Sequence, residues 1–183
     1  MADQTVASLF SQSCPRADIF IRPTDRKSLR RLAARLADLA DRPMEEGKRA
    51  LWHDHNALRD TRPVIFCDPE NGWNEIITAD QIQCEGTLAR SWEMALRKEI
   101  FWGETMGDDK VIDAVFDVRH VYKESDWGMH ERVVKVADHG SYRWDAPIKD
   151  FSQLDELHTP QITVDEEASA DLLELAEKHW AIF

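Results

Sequence analysis

The 183-residue chain has few cysteines, fewer basic than acidic residues and no long apolar run, and each of these features excludes a class of protein. Its three cysteines, Cys14, Cys67 and Cys84, are an odd and widely spaced set. Such a set excludes a disulfide framework and is typical of a reducing compartment. No apolar run approaches the length that crosses a bilayer, and the N-terminus lacks the pattern of a secretory signal. We therefore expect a cytoplasmic protein without a membrane partner.

Positive charge is scarce, because 23 lysines and arginines stand against 35 acidic residues, which gives a formal net charge of -12. A negative field of this size repels phosphate backbones, so we expect no nucleic-acid partner. One basic cluster, Arg26 and Lys27 with Arg30 and Arg31, is followed by acidic residues on the same predicted helix. This arrangement is typical of a solvated helix face rather than of a phosphate site.

Metal-ligand spacing is absent from the sequence as well. His53 and His55 are two residues apart in a predicted helix. At that spacing their side chains project about 200° from each other and cannot bind one ion together. No cysteine or second histidine pair lies at the spacing of a zinc site. We therefore expect these residues to bind no metal.

The apolar pattern divides the chain at about residues 24 and 107. Residues 1–23 show no periodicity and are predicted to be a flexible N-terminal arm. Residues 24–106 carry apolar residues at helical spacing and are predicted to form a helical extension with a short strand, Val64–Cys67. The helices are expected over about 25–42, 44–58 and 87–106, the last ended by Gly107 in a left-handed cap.

Residues 107–183 contain the strongest strand candidate of the chain, Val111–Val118. Thr163 with Glu166 forms a capping-box signature at the start of a final helix. Helices outnumber strands, and only two or three strands are convincing. The other expected elements are short strands over 132–137 and 142–144, a helical turn or two over 151–157, and the final helix to about residue 179.

Two segments carry most of the functional information. Residues 111–128 read VIDAVFDVRHVYKESDWG, an apolar run that ends in Asp117 and is followed by a Trp-Gly turn. Residues 140–157 read GSYRWDAPIKDFSQLDEL. In them a short apolar stretch that contains a proline precedes a capped helix. This order resembles the first barrel strand of the uroporphyrinogen decarboxylase-like superfamily and the chain that connects it to the next helix. Residues 62–77, RPVIFCDPENGWNEII, resemble the N-terminal arm of the same families.

The resemblance runs from about Leu29 to the end and reaches only the N-terminal half of such a protein. It implies an α/β fold, in which a helical N-terminal extension precedes the opening strand or strands of an incomplete (β/α)8 TIM barrel in 107–183. One or two strands cannot close a barrel. We therefore expect that the natural polypeptide continues beyond its apolar end, or that a second chain completes the barrel.

The resemblance also implies a site, because barrel enzymes hold their reacting groups at the carboxyl ends of the strands. It assigns Asp117 as catalytic and Arg119, His120, Trp73 and Trp127 as substrate-binding. The alternative interpretations are a surface ion pair at a strand end and tryptophans that only pack. Superfamily members that use zinc take its ligands from the C-terminal half, so this chain is expected to bind no cofactor itself.

The arm reads CDPENGWNE over residues 67–75, acidic and without arginine. Uroporphyrinogen decarboxylases carry an arginine-rich motif at this place, which grips the carboxylates of the macrocycle. The resemblance therefore favours the corrinoid-dependent methyltransferase branch, with a corrinoid protein as partner and zinc in the complete protein. Two alternatives stay open. One is a non-catalytic interaction module that needs a partner chain or forms a homodimer, and the other is porphyrinogen decarboxylation.

Overall fold

The computed structural model describes residues 19–129, 132–135 and 142–180. Most of the predicted N-terminal arm, residues 1–18, lies outside them. The chain divides into two compact units, with one boundary between Val118 and Arg119 and another inside the last helix, between Leu172 and Leu173. We call them the helical unit, with described residues 19–118 and 173–180, and the strand unit, with described residues 119–129, 132–135 and 142–172.

The helical unit is built on helices that the apolar spacing predicts. The last helix of this set, α4 (Thr87–Phe101), continues into a π-helix over Trp102–Met106, and Gly107 ends it with a φ of 67°. The predicted helices and the left-handed cap are therefore confirmed. No helix among the described residues has the length and apolarity that a membrane crossing needs. The α-helices are α1 (Pro23–Ala40), α2 (Pro43–Asn56), α3 (Trp73–Ile76) and α4 (Thr87–Phe101).

The core of the helical unit lies between α1 and α4. Leu29, Leu32 and Leu36 recur on one side of α1 and are buried. Trp92 and Leu96 of α4 are buried as well, and α1 packs against α4. Each buried leucine side chain stabilises the fold by about 1.5–3 kcal/mol, so this interface dominates the stability of the unit.

The strand unit contains two small antiparallel sheets in its described residues. In the first, Tyr122 lies opposite Val164, and in the second Arg132 lies opposite Asp145. The predicted strand at 132–137 is confirmed for residues 132–135, and 142–144 finds the expected neighbour in it. The elements are β1 (Tyr122–Glu124), β2 (Arg132–Lys135), β3 (Tyr142–Asp145), a 3-10 helix (Phe151–Glu156), β4 (Ile162–Val164) and the start of α5 (Glu166–Trp180).

Two predicted strands are wrong, because Val64–Cys67 and Val111–Val118 lie in neither sheet. The residues of both segments have side chains that suit a pleated sheet, but a strand also needs a neighbouring strand to pair with. Along the first segment, carboxylates replace that neighbour: the N–H of Ile65 donates to Asp109 and the N–H of Cys67 to Asp108. The described residues therefore combine helices with small antiparallel sheets, and the barrel stays an expectation.

The cap of α5 also differs from the predicted one. The N–H of Ala168 donates to the Oδ1 atom of Asp165 at 2.9 Å. Thr163, the predicted cap, lies in β4 and pairs with Lys123 of β1. A side chain committed to a strand cannot satisfy the first turn of the following helix, so the aspartate two residues later does so.

Candidate functional site

The five side chains that the sequence predicts as a site are divided between the two units. Asp117 and Trp73 belong to the helical unit, and Arg119, His120 and Trp127 belong to the strand unit. Trp73 is buried, whereas the other four side chains are exposed. The exposed four are open to a ligand, while Trp73 contributes to packing.

Residues 111–118 of the helical unit are partly buried, and Asp113, Ala114 and Val115 are exposed in succession. Ile112 is completely buried, and the ring of Phe116 makes an edge contact with a tryptophan of α4 at a centroid distance of 5.5 Å. Val115 is 71% exposed, and Asp117 is exposed too. Ile112 and Phe116 therefore hold the segment against the helices, whereas Val115 and Asp117 are exposed.

The Asp117 carboxylate makes no hydrogen bond or ion pair with another described residue. Asp113 differs, since its Oδ1 atom pairs with a guanidinium nitrogen of Arg49 at 2.6 Å. Both carboxylates belong to the same segment, yet only that of Asp117 lacks a cation from the described part of the protein. A charged group of this kind is available to a ligand donor or cation.

Trp73 lies in an aromatic cluster of the helical unit. Its ring meets Trp102 at a centroid distance of 4.6 Å and Phe101 at 5.8 Å, both edge-on. The ammonium of Lys98 lies 5.4 Å from the ring centroid. Its indole N–H donates to Asp68 at 2.9 Å. The pKa of the Asp68 carboxyl is lowered, first by the backbone N–H of Glu70 and to a smaller extent by this indole.

The π-helix places Trp102 against residues 64–67, which the sequence predicts as a short strand. The indole N–H donates to the carbonyl of Cys67 at 3.0 Å, and the ring stacks on Phe66 at 5.7 Å. The ammonium of Lys110 lies 4.8 Å from the same ring. Single-turn π-helices are frequent at functional sites. Here the described contacts of the ring are all internal, so they stabilise the unit.

Asp109 also binds residues 62–65 through its carboxylate. Arg62 donates two hydrogen bonds to its carboxylate, at 2.8 and 2.5 Å, and the N–H of Ile65 donates a third at 2.9 Å. These bonds, led by Arg62, lower the pKa of Asp109 from its ordinary value of 3.8 to about 2. The acidic pair after Gly107 was the only sequence signal, and it does not identify the partner.

Glu93 of α4 is completely buried and was missed by sequence reasoning. It accepts the N–H of Gln83 at 2.8 Å and of Cys84 at 2.7 Å, and it pairs with Arg97 at 2.7 Å. Burial raises the pKa of Glu93, but these donors together outweigh burial, so the net shift is downward. Burial, reinforced by Glu93, raises the pKa of Cys84 to about 12, and that thiol stays protonated.

Glu45 of α2 is the second completely buried glutamate. Its carboxylate accepts the N–H of Ile112 at 2.9 Å and a guanidinium N–H of Arg42 at 2.7 Å. The ammonium of Lys48 lies 3.5 Å away. Glu45 therefore holds the start of the segment that leads to Asp117, and it joins that segment to the helices.

Trp127 projects from a tight turn in the strand unit. Gly128 has a φ of 86°, and a Cβ atom there would lie 2.4 Å from the carbonyl oxygen of Glu156. The N–H of Gly128 donates to Asp126 at 2.8 Å, and the N–H of His158 donates to the carbonyl of Trp127 at 3.1 Å. Only glycine fits this turn without strain, and the indole of Trp127 beside it is exposed.

The two histidines of α2 have different neighbours. His53 contacts the carboxylate of Asp54 at 3.3 Å, while the ring of His55 packs edge-on against Trp52 at 5.8 Å. Among the residues that the structure describes, no group of three or more His, Cys, Asp or Glu side chains is arranged to hold a metal ion. No metal ligand is therefore assigned in this part of the chain.

No protein-family model, curated protein or solved structure matches this chain at a significant level. Family membership is therefore not shown, and the resemblance to the uroporphyrinogen decarboxylase-like superfamily rests on the residues quoted above. Two features remain as candidates for contact with a ligand: the exposed side of residues 111–118 with Asp117 in the helical unit, and the exposed Trp127 in the strand unit.

Proposed function

We propose that the chain is the N-terminal part of a uroporphyrinogen decarboxylase-like protein, which moves a methyl group between a corrinoid protein and a thiol or another acceptor. The burial pattern of residues 111–118 carries the proposal. Ile112 and Phe116 pack toward helices, and Val115 and Asp117 are exposed. In a complete barrel this segment would become the first strand, with helices covering its outer side alone.

In this proposal Asp117 and the residues that follow it hold the substrate. The barrel orients the methyl donor in line with the acceptor, so that positioning supplies much of the acceleration. Asp117 accepts a hydrogen bond from the substrate through a carboxylate that no described cation occupies. Arg119 and His120, both exposed, contact the substrate as well. Zinc would activate a thiol acceptor, with ligands from outside this chain.

Porphyrinogen decarboxylation is the weaker proposal, because it needs guanidinium groups for the carboxylates of the macrocycle. The sequence offers four central arginines for this purpose. Three of them are engaged within the helical unit, which leaves Arg119. The engaged ones are Arg62 with Asp109, Arg97 with Glu93 and Arg90 with the carbonyl of Cys84.

The test is methyl transfer from a methylated corrinoid protein to thiol acceptors by the complete protein. We expect turnover, and we expect Asp117→Asn to lower kcat/KM by roughly tenfold or more. Asp60→Asn is the matched control, since Asp60 is an exposed carboxylate in a loop of the same unit. No turnover with any common acceptor in a folded, metal-loaded sample contradicts the proposed reaction. An unchanged rate for Asp117→Asn contradicts the role of Asp117.

A non-catalytic module that needs a partner chain is the second candidate function. It is favoured by the strand unit, where Trp127, Trp144, Phe151 and Ile162 are each more than half exposed. Apolar side chains in such number are typical of a surface that another chain covers. Size-exclusion chromatography of the 183-residue chain separates the candidates. A compact monomer that binds no ligand favours an independent domain, and a dimer or aggregate favours an incomplete enzyme.

A further inference from the structure

The strand unit carries a row of apolar side chains that the proposed methyl transfer does not use. The 3-10 helix Phe151–Glu156 makes one turn every three residues, so Phe151, Leu154 and the following Leu157 lie along one side. They are 89%, 45% and 39% exposed. Single exposed apolar residues are normal, whereas an aligned set of three forms a continuous apolar surface that a partner can cover. We call these three residues the apolar ridge.

Side chains of the same segment hold the backbone of the apolar ridge in place. Asp150 accepts the N–H of Ser152 at 2.9 Å, and the Gln153 side chain accepts the N–H of Asp150 at 3.0 Å. The N–H of Leu157 donates to the carbonyl of Leu154 at 3.1 Å. This capping box orders the short helix before any partner binds. An ordered surface loses less conformational entropy on association.

The charges beside the apolar ridge are acidic and lack internal counter-charges. Asp155 and Glu156 lie between Leu154 and Leu157 in the sequence and are exposed. Neither carboxylate forms an ion pair with another described residue. The adjacent cation, Lys149, is paired with Asp145 at 2.8 Å. The ridge is therefore an apolar surface with an acidic rim.

We propose that the apolar ridge docks into an apolar groove, rimmed with lysine or arginine, on a different protein. Burial of the ridge supplies the affinity, while Asp155 and Glu156 orient the partner and speed the encounter. A second copy of the chain is the poorer occupant, because each copy carries a formal net charge of -12 and the same acidic rim. The partner is therefore a basic protein and not a copy of this chain.

The probe is a fluorescent synthetic helix with leucine on one face and lysine on the other, which imitates one wall of such a groove. We expect the full chain to bind it with a Kd on the order of micromolar in fluorescence anisotropy. NMR shift changes should centre on residues 150–158. Binding should weaken with added salt, since exposed charges are screened. The same helix with glutamate for lysine should not bind.

Variants separate the apolar ridge from the general acidity of the chain. Phe151→Ser combined with Leu154→Ser leaves the net charge unchanged and should weaken binding of the probe roughly tenfold or more. Leu58→Ser is the control, since Leu58 is 94% exposed in the helical unit. Asp155→Asn with Glu156→Gln should reduce the salt dependence. Circular dichroism and Tm should stay at wild-type values, because these side chains are exposed.

Three results would overturn the proposal. Equal binding by wild type and the Phe151→Ser/Leu154→Ser variant would assign the affinity to net charge alone. Absence of binding at millimolar probe would remove the site. A wild-type dimer that the same variant dissociates would make a second copy the occupant. The binding assay needs no catalysis, so failure of methyl transfer leaves this proposal intact, and the reverse also holds.

Discussion

The helical unit and the strand unit differ in how they use apolar residues. In the helical unit, Leu29, Leu36 and Leu96 are almost fully buried. In the described part of the strand unit, Phe151 and Trp127 are exposed instead, and the buried apolar residues are Val121, Ala168 and Leu172. The comparison indicates that the helical unit is stabilised by an apolar core, whereas the described part of the strand unit buries few apolar residues and is ordered by local hydrogen bonds.

The units also differ in their buried carboxylates. The helical unit buries four of them, and each accepts backbone N–H groups from a loop. None of the described carboxylates of the strand unit is buried. The helical unit therefore uses charge to attach its loops to its helices. The four are Asp25 with the N–H of Glu85 and Gly86, Glu45 with Ile112, Glu93 with Gln83 and Cys84, and Asp109 with Ile65.

The largest expected effect is at Glu93. Glu93→Ala leaves the half-buried Arg97 and the backbone N–H groups of Gln83 and Cys84 without their acceptor, so we expect a loss of about 3–5 kcal/mol in the free energy of unfolding. Glu156→Ala, at an exposed carboxylate of the strand unit, should change it by less than about 0.5 kcal/mol. Urea unfolding measures both. Similar values for the two variants would contradict the comparison between the units.

A matched pair of leucines tests the apolar side of the comparison. Leu36→Ala removes a buried side chain and leaves a cavity, so it should cost about 2–5 kcal/mol. Leu154→Ala makes the same chemical change at an exposed position and should stay within about 0.5 kcal/mol. Urea unfolding of each variant beside wild type gives the difference. A large loss for Leu154→Ala would show that the strand unit has a core of its own at this position.

The helices could be predicted from the sequence because their signals are local. Leu29, Leu32 and Leu36 repeat at the period of one helix face, and Gly107 permits the left-handed end of the long helix. The 3-10 helix at Phe151–Glu156 follows from its own capping residues in the same way. Each of these predictions needs only neighbouring residues, and each is confirmed.

The environments of residues 64–67 and of the buried glutamates could not be predicted in this way, because their partners are distant in the sequence. Nothing local distinguishes Glu45 or Glu93 among 35 acidic residues, since the N–H groups they accept belong to loops placed by the tertiary structure. Residues 64–67 have strand composition but find a carboxylate as partner. Trp73 was expected to contact substrate, and its place in the aromatic cluster depends on Trp102, far along the chain.

An acid titration should show a smaller effect, confined to low pH, at Asp109. Folding lowers its pKa from 3.8 to about 2, so the folded state favours the ionised carboxyl. The stability that it contributes is complete above about pH 4 and is lost as the pH falls toward 2. Asp109→Asn should therefore lose less stability over this range than wild type does. Asp155→Asn, in the strand unit, should follow wild type, and Tm measured from pH 5 to 2 compares the three.

The smallest expected effect on stability is at Asp117. Its exposed carboxylate pairs with no described residue, so Asp117→Asn should change the free energy of unfolding by less than about 0.5 kcal/mol. Asp113→Asn, which loses the pair with Arg49, should cost more. If Asp117 contacts substrate, the complete protein carrying Asp117→Asn should bind methylcobalamin or acceptor more weakly, as titration calorimetry measures. Because the variant keeps its stability, that weakening can be assigned to the site. A loss above about 1 kcal/mol with unchanged binding would instead give Asp117 a structural role.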